Sequence, residues 1–133
     1  MRAALRAAVP TTTDVFEVFT AQHAQIDDLF GFVSSLRDPD ALSELADVLG
    51  AHLGLEQEAL YPHLRAGIVD ELRAEHMQIK RVLAQLVWFG VEDPDFATRL
   101  VELRELLDGH IGYQEDELFA RVAETQRALA LAS

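Results

Sequence analysis

The apolar positions of this chain recur at helical spacing from about residue 13 to 129, in four long segments, and each seam is broken by a polar side chain at mid-length. In the first segment the seam runs Phe16, Phe19, His23, Ile26, Phe30, Val33, so an imidazole stands where a core hydrophobe belongs. The second runs Leu42, Leu45, Leu49, His52, Glu56, Ala59 and places a histidine and a carboxylate in one seam. The third carries Val69, Leu72, His76, Ile79, Leu83, Leu86, and the fourth Leu100, Leu103, Leu107, His110. Breaker residues divide the segments. A Thr11-Thr12-Thr13-Asp14 cap opens the first helix, which is expected to run to Arg37 and stop before Asp38-Pro39-Asp40. The second is expected over 41–64 with Gly67 as its stop, the third over 68–89 ending at Gly90, and the fourth to about 129 with Pro94 in its first turn. Short connections between long helices favour antiparallel neighbours, so the pattern predicts an all-α, up-down-up-down four-helix bundle over residues 13–133, preceded by an N-terminal arm, residues 1–12.

Buried imidazoles need partners, and a buried carboxylate is costly unless it is paired or bound to a cation. One shared centre accounts for all these intrusions. At about 1.5 Å per residue, His23 lies ~20 Å before the first connection and His52 ~17 Å after it, and His76 and His110 lie ~21 and ~24 Å from the third. Each pair is thus level within about a turn, and the middle connection between the pairs fits less well, by roughly one to two turns. An internal repeat strengthens the case: His23-Ala-Gln-Ile recurs as His76-Met-Gln-Ile, and the ten residues from His52 to Tyr61 recur as His110 to Phe119. Two similar helical hairpins would each supply a lone histidine and a His-plus-carboxylate set, an arrangement suited to two metal ions. His63, some 16 Å beyond His52, reads as a surface residue, and Tyr61, Trp88, Phe89 and Phe119 read as core or bundle-end packing.

Composition narrows the chemistry. With 133 residues and 50% hydrophobic content the chain is long enough for one domain with a real core. Twenty-three acidic against eleven basic residues, a net charge of −12, argue against nucleic acid or an anionic membrane as partner. The absence of cysteine leaves only nitrogen and oxygen donors for a metal. No apolar run reaches the ~18 residues of a membrane span, and the first ten residues are too short for a signal peptide, so the expected location is cytoplasmic.

These residues resemble the hemerythrin-like, or HHE cation-binding, domain over essentially the whole chain. The family pattern of a histidine in helix one, His-x3-Glu in helix two, a histidine in helix three and His-x4-Asp/Glu in helix four falls on His23, His52 with Glu56, His76, and His110 with Glu115. The resemblance implies two iron ions, oxo- or hydroxo-bridged when oxidised, with Glu56 and Glu115 as bridges and the four histidines as terminal ligands.

Two features are particular to this chain. On a regular helix Gln114, not Glu115, shares a face with His110, yet the apolar seam resumes at Leu118 and Val122, one residue out of phase. A π-bulge absorbs such a slip, and that reading selects Glu115 as the inward group, with Gly109 and Gly112 either easing the distortion or permitting close helix approach. Secondly, Leu72 stands where the family's oxygen carriers place a second helix-three histidine. The vacancy is assigned to water, an exogenous ligand, or a side chain, with Tyr113 first, then Tyr61 and Glu75. Together these readings point to a non-haem di-iron protein that binds or reacts with dioxygen, peroxide or nitric oxide, with turnover possible. The alternative is iron binding, sensing or handling without turnover. The sequence names no reductant and no protein partner.

Overall fold

A computed structural model describes residues 12–132. Among them the chain is entirely helical: α1 (Thr12–Leu36), α2 (Pro39–Ala59), α3 (Ala66–Phe89), α4 (Phe96–Tyr113) and α5 (Phe119–Ala132), the last two joined by a π-helical segment, Gln114–Leu118, into one rod. Four rods result, a four-helix bundle: α1 packs on α2, α2 on α3, α3 on α4, and α4 closes back on α1. The expected arm lies outside the described residues except for Thr12, which already belongs to α1.

Both ends of α2 and the starts of α3 and α4 differ from the sequence reading. α2 starts at Pro39, because Asp38 in extended conformation accepts a hydrogen bond from the Asp40 N–H at 2.9 Å and Pro39 suits a first-turn position. It ends at Ala59 rather than 64. Pro62 can neither donate to a helical carbonyl nor leave Tyr61 free to be α-helical, and a short 3-10 turn, Tyr61–His63, replaces the last turn. Gly67 therefore falls in the first turn of α3, and Pro94 lies before α4 rather than inside it. Gly90 ends α3 as expected, with φ of 84°, a conformation closed to side-chain-bearing residues at low cost.

The polar seam residues form a layer between apolar ones. On one side α1–α4 contribute a large cluster that includes Phe30, Val33, Leu45, Leu49, Ile79, Leu86 and Leu103. On the other are two smaller clusters, Val15, Phe19, Leu60 and Val122, and Tyr61, Ile68, Leu72 and Leu118. Each fully buried Leu, Ile or Phe stabilises by roughly 1.5–3 kcal/mol, which lets the bundle carry a layer that would not fold on its own merits. Trp88 and Phe89 do not pack at the bundle end: they are 84% and 51% exposed, and the Arg99 guanidinium lies 4.2 Å over the Phe89 ring. Phe119 does pack, stacked on Phe16. None of the helices is long and apolar enough to cross a membrane among the described residues.

Candidate metal centre

The four seam histidines meet in one buried layer, and Glu56 is its hub. Mid-α2, the regular helix turns Glu56 under His52, whose Nε2 lies 2.7 Å from Glu56 Oε1. His110 Nε2 from α4 lies 2.8 Å from the same oxygen and 3.0 Å from Oε2, and His76 Nε2 from α3 lies 2.6 Å from Oε2. His23 Nε2 from α1 reaches His52 Nε2 at 3.2 Å. The donor atoms form two triads, His23–His52–Glu56 and Glu56–His76–His110, each with its atoms within 4.8 Å of one another. Glu56 belongs to both, one carboxylate between two ion-sized positions.

The outer nitrogens show what the inner ones are for. Nδ1 of His23 lies 2.8 Å from Glu115 Oε1, that of His52 2.7 Å from Gln22 Oε1, that of His76 3.1 Å from Tyr61 Oη, and that of His110 against Glu75 Oε1. Each partner is able to accept a hydrogen bond, which allows each neutral ring to hold its proton on Nδ1 and turn an Nε2 lone pair inward toward a bound cation. Lone pairs converging on a carboxylate repel it unless cations lie among them. His76 Nε2 makes the point: although close to Glu56 Oε2 it is not aligned for a hydrogen bond and has no other partner. The donor set therefore fits metal ions held by nitrogen and oxygen.

Electrostatics agree. Burial pushes the Glu56 carboxyl up, but the imidazoles of His110, His52 and His76 gathered around it outweigh that effect and hold the group well below the usual carboxylate range. Burial pulls His110 down, yet Glu56 and Glu75 on its two nitrogens lift it to about 9, so in the metal-free protein it is the cation that balances Glu56. Burial lowers His23, against the opposing bond from Glu115. Burial and the nearby Glu56 charge push the Tyr61 phenol up to about 12, so it stays neutral, with an O–H able to donate and lone pairs able to accept.

The helix-four expectation resolves into two parts. The π segment is present where the phase slip placed it. Inside it Gln114 is fully buried and points inward, its Oε1 2.8 Å from His23 Nε2, while Glu115 is 40% exposed at the rim and engages His23 from outside. A Cβ built on Gly109 or Gly112 meets nothing within 4 Å, so neither glycine serves close helix approach. Tyr113 is partly buried against Tyr61, Ile68, Leu72 and Leu118, and Leu72 itself is sealed in that cluster. Tyr61 and Glu75 hold outer nitrogens instead. His63 lies in the 3-10 turn, outside both triads. Gln22 escaped the sequence reading, although a signal exists: Gln22 precedes His23 as Glu75 precedes His76 in the repeat, and each grips the second-helix histidine of its own half.

The two halves differ in access. A solvent-open pocket of about 330 Å³ between α1 and α4 has His23 and Glu115 in its wall, with Thr20, Asp27 and Arg104 around it. Arg104 is tethered there by ion pairs to Asp27 and Asp108. On the His76 side Tyr61, at the outer nitrogen, belongs to the buried apolar cluster with Ile68, Leu72 and Leu118.

A helical bundle with a buried histidine–carboxylate layer defines a class of metal-binding helical proteins. Residues 14–122 match the model of the hemerythrin HHE cation binding domain, and the chain belongs to that family. A protein of Nostoc sp. (strain PCC 7120) named "DNA nickase" is 28% identical over 117 residues, which cover 82% of this chain and 33% of that relative. The chain spans about a third of the relative's length. No solved structure matches.

Proposed function

We propose that this chain is a non-haem di-iron protein whose centre binds or reduces a small ligand: dioxygen, peroxide or nitric oxide. The observation that carries the reading is the single buried carboxylate shared by two donor triads, with imidazole lone pairs turned toward it. His23 and His52 would hold one ion, His76 and His110 the other, and Glu56 would bridge them. The resemblance implies Glu115 as a second bridge, whereas its position on the outer nitrogen of His23 gives it an orienting role here; Tyr113 is the proposed substitute for the missing helix-three histidine. Iron is the ion that the family resemblance implies, and when bound it supplies the electrons for reducing the small ligand. The residues do the rest. Gln22, Tyr61, Glu75 and Glu115 fix ring orientation and tautomer from the outer nitrogens, and the apolar clusters on either side exclude water. The α1–α4 pocket gives a small molecule a path to the His23 side only.

Reactivity rather than reversible carriage follows from Leu72, which leaves the His76 side one imidazole short. The bundle would run up-down-up-down through its short connections, in the cytoplasm. The relative's printed name is not carried over, because the chain spans only a third of that protein and a net charge of −12 opposes binding to nucleic acid.

The test is metal analysis with an absorption spectrum on protein made with adequate iron, followed by stopped-flow exposure of the reduced protein to oxygen and nitric oxide and a peroxide-consumption assay on the oxidised form. Close to two irons per chain with consumption above free iron is expected. A chain that takes up no metal after reconstitution refutes the reading. A long-lived oxygenated form that releases oxygen under vacuum points to carriage, and two inert irons point to iron handling without turnover. An unchanged visible spectrum in Tyr113→Phe removes that residue as a ligand.

A further inference from the structure

Within the repeat, His52-Leu-Gly-Leu-Glu56 pairs without a gap with His110-Ile-Gly-Tyr-Gln114, so the position of Glu56 in one half is that of Gln114 in the other. Glu115 pairs with Gln57, which is exposed. The structure keeps this correspondence. Buried positions run His52 and Glu56 in α2 with Leu60 just beyond its end, and His110, Gln114, Leu118 across the π segment. In both halves a side chain four residues beyond the histidine enters the layer.

Gln114 is an odd group to find there with no role. It is fully buried, its Nε2 has no hydrogen-bond partner, and its Oε1 lies 2.8 Å from His23 Nε2, the inner nitrogen of a ring whose outer nitrogen faces Glu115. With the His23 proton on that outer nitrogen, the two inner atoms are both acceptors and repel each other unless a cation sits beside both. Around the His23 triad the separations are 3.2 Å (His23 Nε2 to His52 Nε2), 2.7 Å (His52 Nε2 to Glu56 Oε1) and 2.8 Å (His23 Nε2 to Gln114 Oε1). Donor atoms at right angles on an ion with bonds of about 2.1 Å are ~3 Å apart, so all three lengths are those of neighbouring ligands on one ion.

The repeat also explains why Glu115 sits outside. Tyr61, nine residues after His52, gives His76 Nδ1 its acceptor, and its counterpart nine residues after His110 is Phe119, which has none. Glu115 fills that gap by accepting from His23 Nδ1.

We propose that Gln114 is a metal ligand: its amide oxygen completes the His23–His52 half of the centre as a neutral group beside the shared Glu56, and Glu115 is a positioning residue acting through His23. This rests on the metal reading above and refines its ligand set. The centre then takes one buried carboxylate, shared by both ions, and one buried amide that serves the ion beside His23, which lowers the charge available to offset two cations.

The experiment is anaerobic titration of the full-length, metal-free chain with ferrous iron alone, and in parallel with cobalt(II) as a spectroscopic probe, for the parent, Gln114→Leu, Gln114→Glu and Glu115→Gln. Two ions are expected in the parent. Gln114→Leu should keep the ion beside His76 and weaken the one beside His23 by about tenfold or more, with a changed cobalt visible spectrum. Gln114→Glu should bind the ion beside His23 more tightly than the parent, and Glu115→Gln, whose amide oxygen can still accept from His23, should change it by less than about threefold. Thermal melts of metal-free protein guard against a structural role: replacing an unpartnered buried amide by an apolar group should raise the metal-free melting temperature of Gln114→Leu, whereas an amide turned to donate to His23 would lower it. Two ions bound by Gln114→Leu as tightly as by the parent, or loss of the second ion in Glu115→Gln alone, overturns the assignment while leaving the metal reading intact. A parent that binds neither metal overturns both.

Discussion

The α1–α2 hairpin and the α3–α4 hairpin are near repeats in sequence and unequal in structure. In the first, an unbroken α-helix places Glu56 under His52, where three imidazole nitrogens close on a carboxylate that is 1% exposed. In the second, the rod underwinds through Gln114–Leu118, an amide occupies the equivalent place, and the nearest carboxylate, Glu115, stands at the rim. The lesson is energetic. One buried carboxylate among imidazoles is already costly to fold around, and a second would add mutual repulsion in any metal-free state, so an uncharged side chain in the other half eases folding at some loss of attraction for cations. Access follows the same division, since the pocket opens beside the first hairpin's His23 and the second hairpin's His76 meets Tyr61 of a buried apolar cluster.

The sharpest way to break the comparison is Glu56→Ala. Removing the shared group should abolish both ions, seen as near-zero metal by elemental analysis. It should also remove the stabilisation that metal gives the parent, on the order of 10 °C in Tm if metal is present at about a thousand times its Kd. Retention of one tightly bound ion would show that the two halves do not share Glu56. Next in size, His52→Ala and His76→Ala should each retain close to one ion per chain, and the survivor should differ: the ion left in His52→Ala is the one away from the α1–α4 pocket. Equal loss of both ions in either variant would mean that the centre is cooperative rather than divided.

Proton competition gives the third test. The metal-free pKa of His110, raised to about 9 by its two carboxylate partners, means that metal must expel a proton at pH 7. Apparent affinity on the His76–His110 side should therefore rise roughly tenfold per unit from about pH 7 and level off near 9. The same shift works oppositely on the metal-free fold. With an ordinary value near 6.5 when unfolded, His110 contributes stability that is fully present below that pH and is lost as the pH rises through about 9. A pH-independent metal affinity over this window would contradict the pairing with Glu56 and Glu75.

The smallest effect contrasts the centre with its scaffold. Gly90→Ala places a Cβ at φ 84° and should cost about 1–2 kcal/mol in chemical denaturation while leaving metal content unchanged. A parallel loss of metal would mean that the connection near Gly90, at the far end of the large apolar cluster, is coupled to the centre.

Much of this was legible in the residues alone. Helical spacing located all four rods, because burial of one face fixes the period wherever a helix packs, and His23, His52, His76 and His110 were visible as interruptions of that period. The slip between His110 and Leu118 announced the π segment, since an underwound turn leaves a mark in the seam. Segment ends were read less well. The start at Pro39 and the early stop at Ala59 depend on competition between caps and turns, Asp38 against continued coil and Pro62 against continued helix, which differ by small energies. The phase slip chose Glu115 over Gln114 as the inward side chain, and packing turns Gln114 in instead; nor does any seam record that Gln22 and Glu75 reach across to the neighbouring helix's histidine. Period and composition describe one helix at a time. The roles of those groups follow from distances between helices, where a lone pair, a carboxylate and the room for an ion are set by packing that no single seam records.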